Sequence, residues 1–225
     1  MKLFSARNGV LTLGLLAMFG CSICDDDSST SGPPNPIPVS VRGFWPCIGP
    51  AGTTVRIHGT QMNTVFGVLF PGSVTVSTSN GQFSSVDAVV PAGGATGHLQ
   101  VSDFYFRAVG QSPEPFTVGV DNVVPEIEPN EDNPAATPMG PRTRGSGSLT
   151  SAADRDHFLR ECFMTGARYS VTVQPPIVGV VYVNNVPVNL DAAGRGEFSA
   201  TAASLVFGIT GSVGNYTMTV GFVNP

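Results

Sequence analysis

The sequence predicts an all-β protein built from two β-sandwiches in tandem, the first of them immunoglobulin-like. The 225-residue chain is rich in glycine (27) and proline (19), and only 12% of its residues are charged. Its apolar segments are short, rich in valine and threonine, and separated by turn-forming residues, which is typical of strands rather than long helices. An acidic, proline-punctuated stretch over 124–134 divides these segments into two sets, and the chain is long enough to form two cores.

Residues 1–20 have the pattern of an export signal. Lys2 and Arg7 supply positive charge, and the uncharged apolar core Val10–Gly20 is too short for a permanent membrane-spanning helix. The segment that ends in Gly20-Cys21 resembles a bacterial lipobox, which implies that Cys21 carries a lipid. The implied location is the bacterial envelope, at the outer membrane or cell surface. An ordinary signal peptide with an incidental Cys21 is the alternative.

Residues 21–36 predict a flexible tether. The consecutive carboxylates of Asp25–Asp27 precede a Ser/Thr/Gly segment and three prolines. Like charges repel, Ser/Gly segments are flexible and prolines extend the chain, so we expect this segment to hold the following domains away from a membrane.

Residues 37–121 predict the first sandwich. Thr53–Gly59 alternates with a period of two, which places Val55 and Ile57 on one face of a strand. Turn glycines and apolar positions along the unit resemble the pattern of an IPT/TIG domain: Pro46, Gly49, Gly52, Gly59, Val68, Phe70, Val90, Gly97, Leu99 and Phe116. This resemblance implies an immunoglobulin-like fold that serves as a stalk or interaction module in bacterial surface proteins.

Residues 122–225 predict the second sandwich. Its opening segments, Glu126–Asp132 and Asp154–Phe158, and its apolar segments, Gly166–Val173 and Gly214–Val220, resemble a bacterial pre-peptidase C-terminal domain. The resemblance implies a β-sandwich that is usually appended to secreted peptidases, where related versions bind collagen or help in substrate capture.

Acidic residues of the second unit predict a calcium site. Calcium takes about six to eight oxygen ligands, and residues two apart along an extended segment project to the same side. In the collagen-binding relatives the corresponding acids hold calcium, which implies these ligands: Glu126, Glu128, Asn130, Asp132, Asp154 and Asp156. The alternative is that these residues are solvated loop charges and turn formers.

Aromatic residues of the first unit are candidate ligand contacts. Phe44, Trp45 and the Phe104-Tyr105-Phe106 run would form an exposed platform for sugars or peptides, with Trp45, Phe104 and Tyr105 as the predicted contacts. The alternative assigns most of them to core or sheet-edge packing.

The remaining patterns argue against several functions. The histidines lack H-E-x-x-H spacing, no G-x-S-x-G motif is present, and the net charge of -5 comes without a basic cluster that would bind nucleic acid. Beyond Cys21 the chain has Cys24, Cys47 and Cys162, and buried free thiols are expected, because Cys47 and Cys162 belong to different units.

The sequence therefore predicts a lipid-anchored envelope protein that acts as a non-catalytic binding or spacer module. The alternative function is an accessory component of a secreted hydrolase system that binds a collagen-like or polysaccharide substrate. An unrecognised hydrolase is the third class, because a Ser/His/Asp set can assemble from distant residues.

Overall fold

The computed structural model describes residues 35–72, 74–175 and 179–225. The predicted export signal, Cys21, Cys24 and most of the predicted tether lie outside these residues. Pro36–Pro225 forms one compact unit. The predicted all-β fold of tandem sandwiches is confirmed, and none of the short helical turns in the described residues has the length and apolar character needed to span a membrane.

Strands over residues 40–118 form the first sandwich. Sheet I has the order β1-β3-β7-β6 and sheet II the order β2-β9-β8-β4-β5. Their bounds are β1 (Ser40–Trp45), β2 (Ile48–Gly49), β3 (Thr54–Thr60), β4 (Gly67–Phe70), β5 (Val74–Ser77), β6 (Ser79–Gln82), β7 (Ser85–Val89), β8 (Gly97–Ser102) and β9 (Ala108–Val118).

The predicted alternation in β3 holds. Val55 and Ile57 are fully buried in the core between sheets I and II, whereas Arg56 is exposed on the opposite face of the strand. Phe44 is also buried, packed edge-on against Phe116 in the same core, so its assignment to an exposed platform is wrong. The alternation of β1 places Phe44 on the inner face and its neighbour on the outer face.

Strands over residues 124–224 form the second sandwich. Sheet III has the order β10-β12-β19-β14-β17 and sheet IV the order β11-β13-β18-β15-β16. Their bounds are β10 (Val124–Pro125), β11 (Thr137–Gly140), β12 (Arg144–Leu149), β13 (Asp156–Arg160), β14 (Arg168–Gln174), β15 (Val180–Val183), β16 (Val186–Val188), β17 (Arg195–Ser199), β18 (Leu205–Thr210) and β19 (Gly214–Asn224). A second core fills the space between these sheets, with Phe158, Tyr169, Phe207 and Met218 among its members.

A disulfide bond joins the two sandwiches. Cys47 follows β1 and Cys162 follows β13, and their Cα atoms are 6.3 Å apart across the bond. The expectation of free thiols at these two positions is therefore wrong. It assumed that residues of different sandwiches stay apart, whereas the ends of β1 and β13 meet.

Trp45 fills the junction beside this bond. Its ring lies 5.7 Å from that of Tyr169 and 6.0 Å from that of Phe222, between ring centroids. The guanidinium of Arg160 lies 4.9 Å from the Trp45 ring and 4.5 Å from the Phe163 ring. Arg160 is completely buried, and its Nε donates to the backbone oxygen of Arg142 at 2.8 Å. Burial lowers the pKa of Arg160 to about 10, so it remains charged at neutral pH.

Candidate functional site

The acidic opening of the second sandwich folds against the start of β13. Strand β10 pairs in parallel with β12, and the Glu126 N–H extends this pairing by donating to the Ser146 oxygen at 2.8 Å. Asp156 begins β13, whose N-terminal end lies beside the same segment. Oxygen atoms of Glu126, Glu128 and Asp156 consequently lie within 4.8 Å of one another.

Each of these carboxylates has one oxygen fixed by a hydrogen bond. Ser148 N–H donates to Glu126 Oε1 at 2.8 Å, the Tyr216 hydroxyl donates to Asp156 Oδ2 at 2.6 Å, and Asn130 N–H donates to Glu128 Oε2 at 3.1 Å. Gly147 permits this arrangement, because a Cβ at that position would collide with Glu126 and Tyr216.

Three buried oxygens of the cluster have no hydrogen-bond partner among the described residues: Glu126 Oε2, Asn130 Oδ1 and Asp156 Oδ1. Asn130 and Asp156 are fully buried, and an unsatisfied polar atom in such a position is costly. A hard cation would satisfy oxygens of this kind. The donor set is entirely oxygen, which suits calcium better than a metal that prefers nitrogen or sulfur.

The pKa values of the carboxyl groups in the cluster are raised, because these groups are partly buried and close together. Burial raises the pKa of Glu126 to about 8, and the neighbouring Asp156 adds to the rise. Burial likewise raises the pKa values of Glu128 and Asp156. Glu126 therefore retains its proton at neutral pH and donates it in a hydrogen bond to Asp156, and a bound cation would have to displace this proton. Without a cation, Asn130 Oδ1 is the buried oxygen of the cluster that this proton does not satisfy.

The structure places the predicted calcium ligands in two groups. Glu126, Glu128 and Asp156 converge, and Asn130 is buried beside Glu128. Asp154 and Asp132 instead accept hydrogen bonds within local turns: Asp154 Oδ2 from the Thr150 N–H at 2.5 Å and Asp132 Oδ1 from the Ala135 N–H at 3.0 Å. Turn formation, the alternative considered from the sequence, describes these last two residues.

A second site lies at the junction of the sandwiches. It is a cleft of about 350 Å³ lined by Trp45, Pro46, Thr54, Arg56, His58, Asp87, Phe222 and Val223. The strand register explains its composition, because Trp45 pairs with Arg56 across β1 and β3, and Arg56 pairs with Asp87 across β3 and β7. These three side chains therefore form a row on the outer face of sheet I, beside Phe222 of the second sandwich.

Polar groups of the cleft are held in place. Arg56 donates two hydrogen bonds to the Asp87 carboxylate, at 2.7 and 2.9 Å, and the Asn80 amide donates a third at 2.9 Å. The Arg56 side chain remains 54% exposed, whereas that of Asp87 is buried. His58 lies 5.4 Å from the Phe222 ring, its Nε2 is buried without a partner among the described residues, and burial lowers its pKa.

Sequence reasoning did not single out Arg56, His58 and Asp87 as functional. The alternation of β3 already placed Arg56 and His58 on one outward face. Nothing in that pattern showed that Phe222, more than 150 residues away, covers this face.

The predicted aromatic contacts do not form one platform. Trp45 is half-buried at the junction, at the C-terminal end of β1. Phe104 and Tyr105 are exposed in the turn between β8 and β9, near the opposite end of the first sandwich.

The contacts of the three histidines bear on whether the chain could be a hydrolase. His98 Nδ1 contacts the backbone oxygen of Ser112 at 2.9 Å, and His157 Nδ1 contacts that of Asn130 at 3.0 Å. The ring of His58 faces Phe222. A hydrolase of this type needs a histidine hydrogen-bonded to a nucleophilic side chain. Within the described residues, these contacts are instead to backbone oxygens and to an aromatic ring.

No protein-family model matches this sequence, and no curated protein is significantly similar to it. Among solved structures, an auxiliary nutrient-binding protein of Bacteroides thetaiotaomicron is 21% identical, with 37% of this chain and 21% of that chain covered and a TM-score of 0.31. The surface glycan-binding protein B of a Bacteroides ovatus mixed-linkage glucan locus is 13% identical (82% and 52% covered, TM-score 0.32). The surface glycan-binding protein B of a Bacteroides uniformis xyloglucan locus is 10% identical, with 83% of this chain and 74% of that chain covered and a TM-score of 0.33. This chain spans about half or less of the length of the first two of these proteins. All three similarities are too distant to assign a function.

Proposed function

We propose that this protein is an exported, lipid-anchored envelope protein that binds a neutral polyhydroxylated ligand, a saccharide, in the junction cleft without catalysis. The observation that carries the proposal is the row of Trp45, Arg56 and Asp87 beside Phe222. The export signal and Cys21 support the location, and calcium at the acidic cluster is proposed as a structural ion.

The chemistry of the cleft favours this class of ligand. Arg56 and Asp87 neutralise each other, and the lowered pKa of His58 keeps its ring uncharged at neutral pH. A hydroxyl group both donates and accepts, so it can bond to a guanidinium, a carboxylate or a neutral imidazole. Aromatic walls provide apolar contact for the carbon face of a sugar ring, and the volume lies in the range of small-ligand sites.

Calorimetric titration with cello-, mixed-linkage and xylogluco-oligosaccharides tests this function. We expect at least one probe to bind the wild-type chain and binding to fall about 10-fold or more in the R56M/D87L variant. Replacing both partners of the ion pair avoids leaving a buried charge alone, so the variant should still fold. R168M/E197L, which removes another cross-strand ion pair, is the matched control.

Failure of every oligosaccharide to bind would contradict the proposal, as would equal binding by R56M/D87L and wild type. Capture of a collagen-like peptide in place of the oligosaccharides would instead favour an accessory component of a hydrolase system.

A further inference from the structure

The exposed aromatic side chains of the described residues gather at one end of the first sandwich. Each is between 45% and 71% exposed: Phe66, Phe83, Phe104, Tyr105 and Phe106. The loops that carry them are joined by backbone hydrogen bonds, from Phe66 N–H to the Ser102 oxygen (2.8 Å) and from Met62 N–H to the Phe83 oxygen (2.9 Å). We call residues 61–66, 82–84 and 102–107 the aromatic end.

A hydrogen-bonded turn over residues 103–107 carries three of these rings. Asp103 Oδ1 accepts hydrogen bonds from the N–H groups of Tyr105 (2.9 Å) and Arg107 (3.0 Å), and the Asp103 backbone oxygen accepts from Phe106 N–H (2.9 Å). Phe104 packs edge-on against Phe66, with 5.1 Å between ring centroids. Phe66 also packs against Phe106 and Phe104 against Tyr105, so these four rings form one cluster, and Phe83 is linked to it through the backbone.

This surface is almost free of charge. Asp103 and Arg107 are the charged residues of the aromatic end, and they form an ion pair at 2.6 Å. The remaining residues have aromatic, apolar, hydroxyl or amide side chains. Soluble proteins rarely expose a continuous apolar patch that has no binding partner, so we expect the aromatic end to contact another molecule or a membrane.

The described chain begins at the same end. Ser40, the first residue of β1, pairs with Thr60 at the end of β3, immediately before the aromatic end starts. The Val39 backbone oxygen lies against Gly110, where a Cβ would be 3.0 Å from it, and Gly110 follows the aromatic turn in β9. The N-terminal end of β1 thus lies beside the loops that carry the exposed rings.

We infer that the aromatic end inserts into the interfacial region of the membrane that would hold the Cys21 lipid. This replaces the expectation that residues 21–36 keep the sandwiches away from a membrane, because a flexible tether also allows contact with it. Aromatic side chains favour this region, where apolar and polar surroundings meet. The acyl chains of a lipidated Cys21 would supply the main membrane affinity, and insertion of the aromatic end would fix the orientation of the first sandwich at the membrane. The inference rests on the proposed envelope location and not on the ligand of the junction cleft.

Vesicle co-sedimentation tests this inference on residues 21–225 with the C21S substitution, so that neither a lipid nor the apolar segment Val10–Gly20 contributes. Vesicles contain phosphatidylethanolamine and phosphatidylglycerol in equal parts. The C21S chain is expected to co-sediment, and F104S/F106S in that background should reduce the partition coefficient about 10-fold or more. V186S/V213S removes two equally exposed apolar side chains from the second sandwich and should leave it unchanged. Because the aromatic end has no net charge, raising NaCl from about 0.1 to about 0.5 M should change binding by less than about twofold.

Thermal melting and oligosaccharide titration of the same variants complete the test. F104S/F106S should melt with its parent and should retain any binding at the junction cleft, since its substitutions are exposed and lie at the other end of the sandwich. Absence of C21S co-sedimentation would overturn the inference, and so would equal losses in both double variants. Release from vesicles by a soluble oligosaccharide would reassign the aromatic end to a glycan.

Discussion

Arg160 and His58 are basic side chains that are buried where the sandwiches meet, and their surroundings differ. Arg160 remains charged because backbone carbonyl oxygens and the faces of Trp45 and Phe163 surround it. Burial is the main cause that lowers the pKa of His58; Arg56 and Arg42 lower it further, and Asp87 opposes them. Protonation is therefore unfavourable for folded His58.

His58 should make the protein less stable in acid. As pH falls through the usual histidine pKa of 6.5, the unfolded chain binds a proton that folded His58 does not yet take up, and unfolding becomes easier. We expect the urea midpoint to fall more between about pH 7.5 and about pH 5 in wild type than in H58Q. H98Q, which removes an exposed histidine, is the control variant. An identical pH dependence in H58Q and wild type would show that His58 does not carry this effect.

At the scale of secondary-structure elements, the position of the acidic segment is fixed by its pairing with β12. Residues 124–126 continue sheet III beside β12, and β13 begins sheet IV with Asp156. The period-two spacing of Glu126 and Glu128 is a local property of the sequence. Their approach to Asp156 depends on two sheets that face each other across the second core.

Calcium is expected to stabilise the second sandwich. At about 100 times its dissociation constant, an ion that binds only the folded chain raises the free energy of unfolding by about 2.7 kcal/mol. The E126Q/E128Q variant should lose this calcium-dependent rise in melting temperature. Its melting temperature in EDTA should equal or exceed that of wild type, because it has fewer crowded carboxylates.

E161Q/E197Q makes the same two replacements of glutamate by glutamine elsewhere and should retain the calcium response. Coincident wild-type melting curves in EDTA and in excess calcium would rule out a stabilising site at this cluster.

At the scale of the whole molecule, the two sandwiches are joined more closely than tandem domains on a linker. The Cys47–Cys162 bond spans 115 residues of sequence, and Trp45 packs beside it against Tyr169 and Phe222. The junction cleft depends on this arrangement, because one wall belongs to sheet I and the other to β19.

Removing the disulfide should destabilise the protein. A bond that closes a loop of this length restricts the unfolded chain, and C47A/C162A should lower the free energy of unfolding by about 2–5 kcal/mol in urea titrations. Intact-mass measurement provides an independent check. Alkylation of denatured but unreduced wild type should leave Cys47 and Cys162 unlabelled, and labelling of both would contradict the bond.

The all-β class, the alternation of β3 and the acidic character of residues 124–134 were set by the sequence itself, because strand periodicity and composition are local properties. Tertiary structure alone decided that Cys47 meets Cys162, that Phe222 covers His58, and that Trp45 and Phe104 lie at opposite ends of one sandwich. These outcomes depend on the packing of one sandwich against the other and on which strand ends share an edge. Both are long-range contacts, which no short stretch of sequence encodes.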